Sequence, residues 1–436
     1  MRRILIITCA VVVSLFATAA GWPVDHGDNN RSGYNAAETP FVSLSRAFGV
    51  TLDGAVYGSP IVVGRNVIVA TENNTVYALD VTNGGQRWKV HLHDPAPTSA
   101  LACSGNISPS GISGSPAYDP ATGRVFVVTN SVSTQFGAHH EIFGISANTG
   151  HVYLNRRITV PGTAENAIQQ RGALAVSNGN VYIPFGGLAG DCGNYKGAVI
   201  SLKANGALGA TTWVVPTGRE GGIWAAGGPV VAADGSVYVA VGNGASTSGA
   251  YDGSDSVTRL SPSSVRLDYF APTTWASDNA ADLDLGSMTP AFTSNGFILQ
   301  AGKSGTAYVL RQSHLGGIGG QAHSGSLCAA FGVSAVTGST VYVPCTNGVS
   351  RVQVNNDGSF TRLWTAQGGI AGSPVIGPGA LYSTSGDHLY AIWPRDGRQL
   401  GSIALGSTTT RFATSAMAGN KVYVPTTTGI VAIQVG

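Results

Sequence analysis

Short strand-like runs, alternating or wholly apolar, fill this chain, and one mostly apolar run recurs eight times. It reads VIVA from Val67, VFVV from Val125, VYIP from Val181 and VYVA from Val237. It continues as FILQ from Phe297, VYVP from Val341, LYST from Leu381 and VYVP from Val422. Successive starts lie 58, 56, 56, 60, 44, 40 and 41 residues apart. The period of two around each run is that of half-buried strands, and Gly, Asn and Asp gather between runs where tight turns need them. The first unit is the fullest: GSPIVVG (58–64), NVIVA (66–70), TVYALDV (75–81) and QRWKVHL (86–92), four strands joined by turn residues.

A repeat of this size, made only of strands and turns, predicts an all-β chain folded as a single eight-bladed β-propeller of four-stranded antiparallel blades. The blades are expected near residues 55–95, 112–161, 168–216, 223–272, 285–320, 330–366, 370–405 and 411–436, after an N-terminal extension over 21–45. The last unit lacks a fourth strand. Residues 46–52 (RAFGVTL) can supply it, so an N-terminal strand closes the ring and leaves no open sheet edge.

The first residues have another pattern. Arg2 and Arg3 precede the apolar run from Ile4 to Phe16 and the small residues Ala17 to Ala20, the layout of a secretory signal peptide. An extracytoplasmic protein is expected, in the periplasm, the cell envelope or outside the cell. Without Arg2 and Arg3 the chain carries 22 basic and 22 acidic residues and no basic cluster, which argues against nucleic acid as a partner. No later apolar run is long enough to span a bilayer. Four cysteines follow the leader, and in an oxidising compartment they allow three pairings. Cys328 and Cys345 flank neighbouring strands of the sixth unit, which favours Cys328–Cys345 and leaves Cys103–Cys192 between loops of units two and three. No CxxCH motif exists, so haem is not expected.

The segment Ala78-Leu79-Asp80, Asn83-Gly84 and Trp88 resembles the tryptophan-docking repeat of pyrroloquinoline quinone (PQQ) propellers, with weaker copies ending near Gly150, Trp364 and Gly397. The likeness sharpens between residues 171 and 311, where four segments resemble those of eight-bladed quinoprotein alcohol dehydrogenases. They are Gly221-Gly222-Ile223-Trp224, Val241-Gly242-Asn243-Gly244, Gly253-Ser254-Asp255 and Ala301-Gly302-Lys303-Ser304-Gly305. The resemblance implies PQQ and Ca²⁺ as cofactors. Trp224 would stack under the quinone, and Lys303, Arg171 and Arg219 would meet its oxygen and carboxylates. Asp191, Asn243 and Asp255 would ligate the metal, Asp255 also serving as base, with Lys303 beside the reacting oxygen. The family's vicinal cysteine pair is missing, since Ser104 follows Cys103.

Most of these residues fall on connections that a propeller gathers on one face, and loops on a rigid scaffold commonly carry function. The expected partner there is a small molecule or a protein, with a separate electron acceptor if the chain is an enzyme. The other reading is a non-catalytic scaffold that binds a protein or glycan on the same face. Asp278, Asp282 and Asp284 lack EF-hand spacing, and Asp284 is expected to cap the approach to the fifth unit. His139-His140-Glu141 has no second histidine cluster to complete a metal site.

Overall fold

The computed structural model describes residues 21–410 and 412–436. The leader read at 1–20 lies outside the described residues. Eight sheets, each built on four antiparallel strands, form the ring. The first blade runs Ile61–Val63, Asn66–Ala70, Thr75–Asp80 and Gln86–His91 from axis to rim. The second strand is wholly buried, whereas the rim strand alternates exposed and covered positions. This is the pattern of sheets stacked on both faces near the axis and wetted at the rim.

The ring closes as expected. Ser45–Thr51 lies antiparallel to Gly429–Gln434, from Ser45 opposite Gln434 to Thr51 opposite Gly429, and becomes the rim strand of the eighth blade. Blades dock through the tryptophan repeat. Trp88 donates its indole N–H to Ala147 of the next blade at 3.2 Å. A Cβ on Gly150 would lie 2.9 Å from the Trp88 ring, and Gly150 also has φ +76°, so only glycine serves in that turn. Trp364 and Gly397 repeat the contact between blades six and seven, with 2.7 Å to the imagined Cβ. Phe48 takes the tryptophan's place over Gly84 where the closing strand meets blade one.

The N-terminal extension has a defined path. Trp22 to Glu38 bonds in turn to Val62, Tyr118, Val176, Val231, Val336, Ile376 and Met417, residues of innermost strands in seven blades. Trp22, Asp25, His26 and Arg31 are all buried there. The segment is a plug threaded through the ring. Among the described residues no helix is long and apolar enough to cross a membrane.

Candidate functional site

A pocket of about 250 Å³ is lined mainly by connections around blades three to five, with Phe331 and Phe412 from the links ahead of blades six and eight. Its parts come from two classes of connection. Links between blades bring Trp224 ahead of Val230–Val231, and Asp282 and Asp284 ahead of Ala291–Phe292. Turns after second strands bring Asn243, just past Val237–Val241, and Lys303, just past Phe297–Ala301.

Asp284 is the hub. One carboxylate oxygen, Oδ1, accepts the backbone N–H of Asn243 at 2.8 Å and the indole N–H of Trp224 at 3.4 Å. The other, Oδ2, lies 2.6 Å from Lys303 Nζ. Lys303 also pairs with Asp282 Oδ1 at 2.7 Å, and that oxygen accepts Asn243 Nδ2 at 2.8 Å. The ammonium stands 5.8 Å from the Trp224 ring centre. Burial pushes the Asp284 carboxyl up, with Lys303 opposing it. Burial would lower Lys303, but the carboxylates of Asp284 and Asp282 outweigh that and hold its ammonium up.

The sequence builds this hub with glycine. A Cβ on Gly242 would fall 2.2 Å from Asp284 Oδ1 and 2.9 Å from the Trp224 indole nitrogen, and one on Gly302 would fall 2.4 Å from the Asp284 carbonyl. Both glycines belong to segments singled out above; Gly242 clears space for the carboxylate and Gly302 for the backbone of Asp284, a residue assigned there only to capping. Asp284 is thus a pocket residue rather than a simple cap.

Asp255 is not brought into the pocket. It is fully buried with φ +40°, and its Oδ1 accepts the N–H of Leu285 at 2.9 Å. Its own N–H donates to Gly242 at 3.0 Å. It therefore braces the chain on either side of Asp284, behind the pocket wall. Burial pushes its carboxyl well up, and Asp284 adds to the effect. Arg219 is also turned away: it pairs with Glu220 and donates to the Gly193 carbonyl at 3.3 Å. Asp191 does line the pocket and accepts the Tyr195 hydroxyl.

The far side of the pocket is aromatic and cationic. Arg171 lies 3.8 Å from the centre of the Phe412 ring and 5.8 Å from that of Trp224. Phe331 and Phe412 flank Trp224 at 6.4 and 6.1 Å. Burial lowers the Arg171 guanidinium to about 10, against the pull of Glu72 and Tyr57. Neither phenylalanine was singled out from sequence, yet the repeat register marks them. Arg171, Phe331 and Phe412 each stand four residues before a first strand, which begin at Ala175, Ala335 and Ala416.

Cys328 and Cys345 form a disulfide with 5.6 Å between Cα atoms. Cys103 and Cys192 are unbridged thiols in hydrogen-bond contact, and Cys103 Sγ lies 3.6 Å from the carbonyl of Ala189, itself a pocket residue. His139 and His140 are buried on the long strand Gly137–Ser146 rather than on a loop, and burial lowers His140 to about 3. No three His, Cys, Asp or Glu side chains among the described residues form a metal-holding group.

A family profile described as outer membrane protein assembly factor BamB matches residues 45–186. No curated protein matches the chain. Among solved structures, the quinohemoprotein alcohol dehydrogenase of Comamonas testosteroni is 16% identical, covering 96% of this chain and 80% of its own, with a TM-score of 0.72. A europium-containing methanol dehydrogenase is 14% identical over 93% and 89%, with a TM-score of 0.70. BamB from Moraxella catarrhalis is 12% identical over 90% and 97%, with a TM-score of 0.57. The chain resembles the PQQ-type eight-bladed propellers, and identities this low speak for the fold alone.

Proposed function

We propose that the chain is an exported quinoprotein-type oxidoreductase that oxidises an alcohol or sugar hydroxyl, with PQQ and a divalent cation, calcium by expectation, held in the axial pocket. One observation carries this reading: Trp224, Asn243, Asp284 and Lys303 converge on a single cavity. The residues suit the group. Asn243 Oδ1 is buried without a partner, an acceptor left over for a cation. Asp284, Asp282 and Asp191 line the same cavity with carboxylate oxygens, the hard ligands such an ion takes. They do not stand together as a metal-holding group, and the ion would have to share the first two with Lys303. Trp224 offers an aromatic platform, and Lys303 and Arg171 each place a cation 5.8 Å from its ring centre for a flat polyanion.

When bound, the quinone supplies the two-electron acceptor for hydride. The chain supplies the rest. Asp284, already hydrogen-bonded by the Asn243 and Trp224 N–H groups, takes the hydroxyl proton as general base. Lys303 holds that carboxylate in place and stabilises negative charge developing beside it. Phe331 and Phe412 narrow the mouth and limit water. Asp255 supports the Asp284 segment from behind. A separate acceptor removes the electrons.

The likeness to BamB favours a second reading, a scaffold that binds a protein segment on the same face. Titration of the folded protein with PQQ, with and without calcium, separates the two. Saturable, calcium-dependent binding that Asp284→Asn weakens at least about tenfold is the expected result. Binding absent at high PQQ, or indifferent to Asp284→Asn, overturns the oxidoreductase reading and leaves the scaffold.

A further inference from the structure

The plug touches, through one side chain, the two segments that carry Arg171 and Trp224 into the pocket. Arg31 is 1% exposed, and its guanidinium spans two blades. Nε donates to the carbonyl of Gly227 at 2.8 Å and Nη2 to the carbonyl of Leu174 at 2.9 Å, while Nη1 donates to Asp25 O at 3.1 Å. Leu174 stands three residues after Arg171, and Gly227 three residues after Trp224. Between them Ala173 N–H donates to the Ala226 carbonyl at 2.8 Å. The fork therefore grips the two short segments that end in Arg171 and Trp224, the pair standing 5.8 Å apart in the pocket.

Two further features show that the grip is built rather than incidental. Arg31 adopts left-handed backbone, φ +58°, as does His26 at +55°, a conformation that non-glycine residues keep only where their surroundings impose it. Burying a guanidinium is also costly unless its donors are satisfied, and here neutral carbonyls satisfy three of its nitrogens. A lysine there has one ammonium and cannot reproduce the planar fork.

We propose that Arg31 is a positioning residue for the axial pocket, setting the spacing of Arg171 and Trp224 from inside the ring. The N-terminal plug is then part of the site and not only a closure. The proposal rests on the pocket being the functional site, but not on what binds there.

Its test is ¹⁹F NMR of the full chain labelled with 5-fluorotryptophan, with the Trp224 signal assigned by loss in Trp224→Phe. Arg31→Lys is expected to move or split the Trp224 signal while the Trp88 and Trp364 signals, from blade-docking contacts, stay in place. Asn35→Ala is the control: it cuts the plug's bond to Met417 O of the eighth blade and an internal bond to Glu38, and should leave Trp224 unmoved. Arg31→Gln keeps a planar donor without an unpaired buried ammonium, so it reports if Arg31→Lys fails to fold. An unmoved Trp224 signal in the folded Arg31 variant, or an equal shift in Asn35→Ala, overturns the proposal. If PQQ binds the parent, Arg31→Lys should weaken it about tenfold. If PQQ does not bind, the Trp224 signal still decides the role of Arg31.

Discussion

Glu72 is the residue whose chemistry is least expected of its place. It sits in a tight turn of the first blade, yet is 3% exposed. Its Oε2 accepts Gly111 N–H at 2.6 Å and its Oε1 has no partner. Burial raises its carboxyl from 4.5 to about 7, with Gly111, Ser113 and Arg171 opposing. The sign follows from linkage: the folded value lies above the unfolded one, so the folded protein holds a proton that the unfolded chain has lost. The stability this group contributes is complete below about 4.5 and falls as pH rises through about 7. The full loss is on the order of 3 kcal/mol. Glu72→Gln should match the parent in melting temperature near pH 5 and exceed it near pH 8. A difference that does not change with pH would refute the assignment. Charging Glu72 also offers Arg171 an internal partner, so an anion in the pocket should bind more weakly above pH 7 in the parent than in Glu72→Gln.

At the scale of the element, the pocket is made by turns whose glycines let a carboxylate come close. Gly242→Ala places a methyl 2.2 Å from Asp284 Oδ1 and must displace that side chain, though the backbone at Gly242 is one that alanine adopts freely. The blade should fold, with unchanged circular dichroism, while PQQ affinity falls at least about tenfold in the titration described above. The strands and the turn segments around Asn243 and Lys303 were legible in the sequence because both are local patterns, an alternation and a glycine-flanked polar residue. Asp284 was not, because its partners are far along the chain: Asn243 and Lys303 lie 41 residues before it and 19 after it. The helix Trp275–Ala280 stands between Asn243 and Asp284. Asp255 drew attention through a local Gly-Ser-Asp match, and the fold carried it behind the wall instead. Phe331 and Phe412 were hidden for the opposite reason, whereas Arg171 had already been singled out through the family resemblance. Each phenylalanine is unremarkable alone, and only their shared position four residues ahead of a first strand directs them to the axis.

For the whole molecule, the question is what holds a ring of eight similar sheets shut. Beyond its own strands each blade packs on the blades beside it, so the ring depends on its one seam, where the strand Ser45–Thr51 completes the eighth blade. Removing that strand exposes the unpaired edge of Gly429–Gln434, a row of backbone donors and acceptors that another chain can pair with. It also removes Phe48 from Gly84, the docking contact between blades eight and one. The plug is a different closure. It bonds to the innermost strands of seven blades but supplies no strand to a sheet. Two truncations of the chain separate these roles. Starting at residue 45 removes the plug and keeps the seam, and should give a monomer with a lower melting temperature and an impaired pocket. Starting at residue 53 removes both, and should give concentration-dependent self-association in light scattering as open edges pair. If the shorter truncation associates as strongly as the longer one, the plug and not the seam strand is what keeps the ring closed.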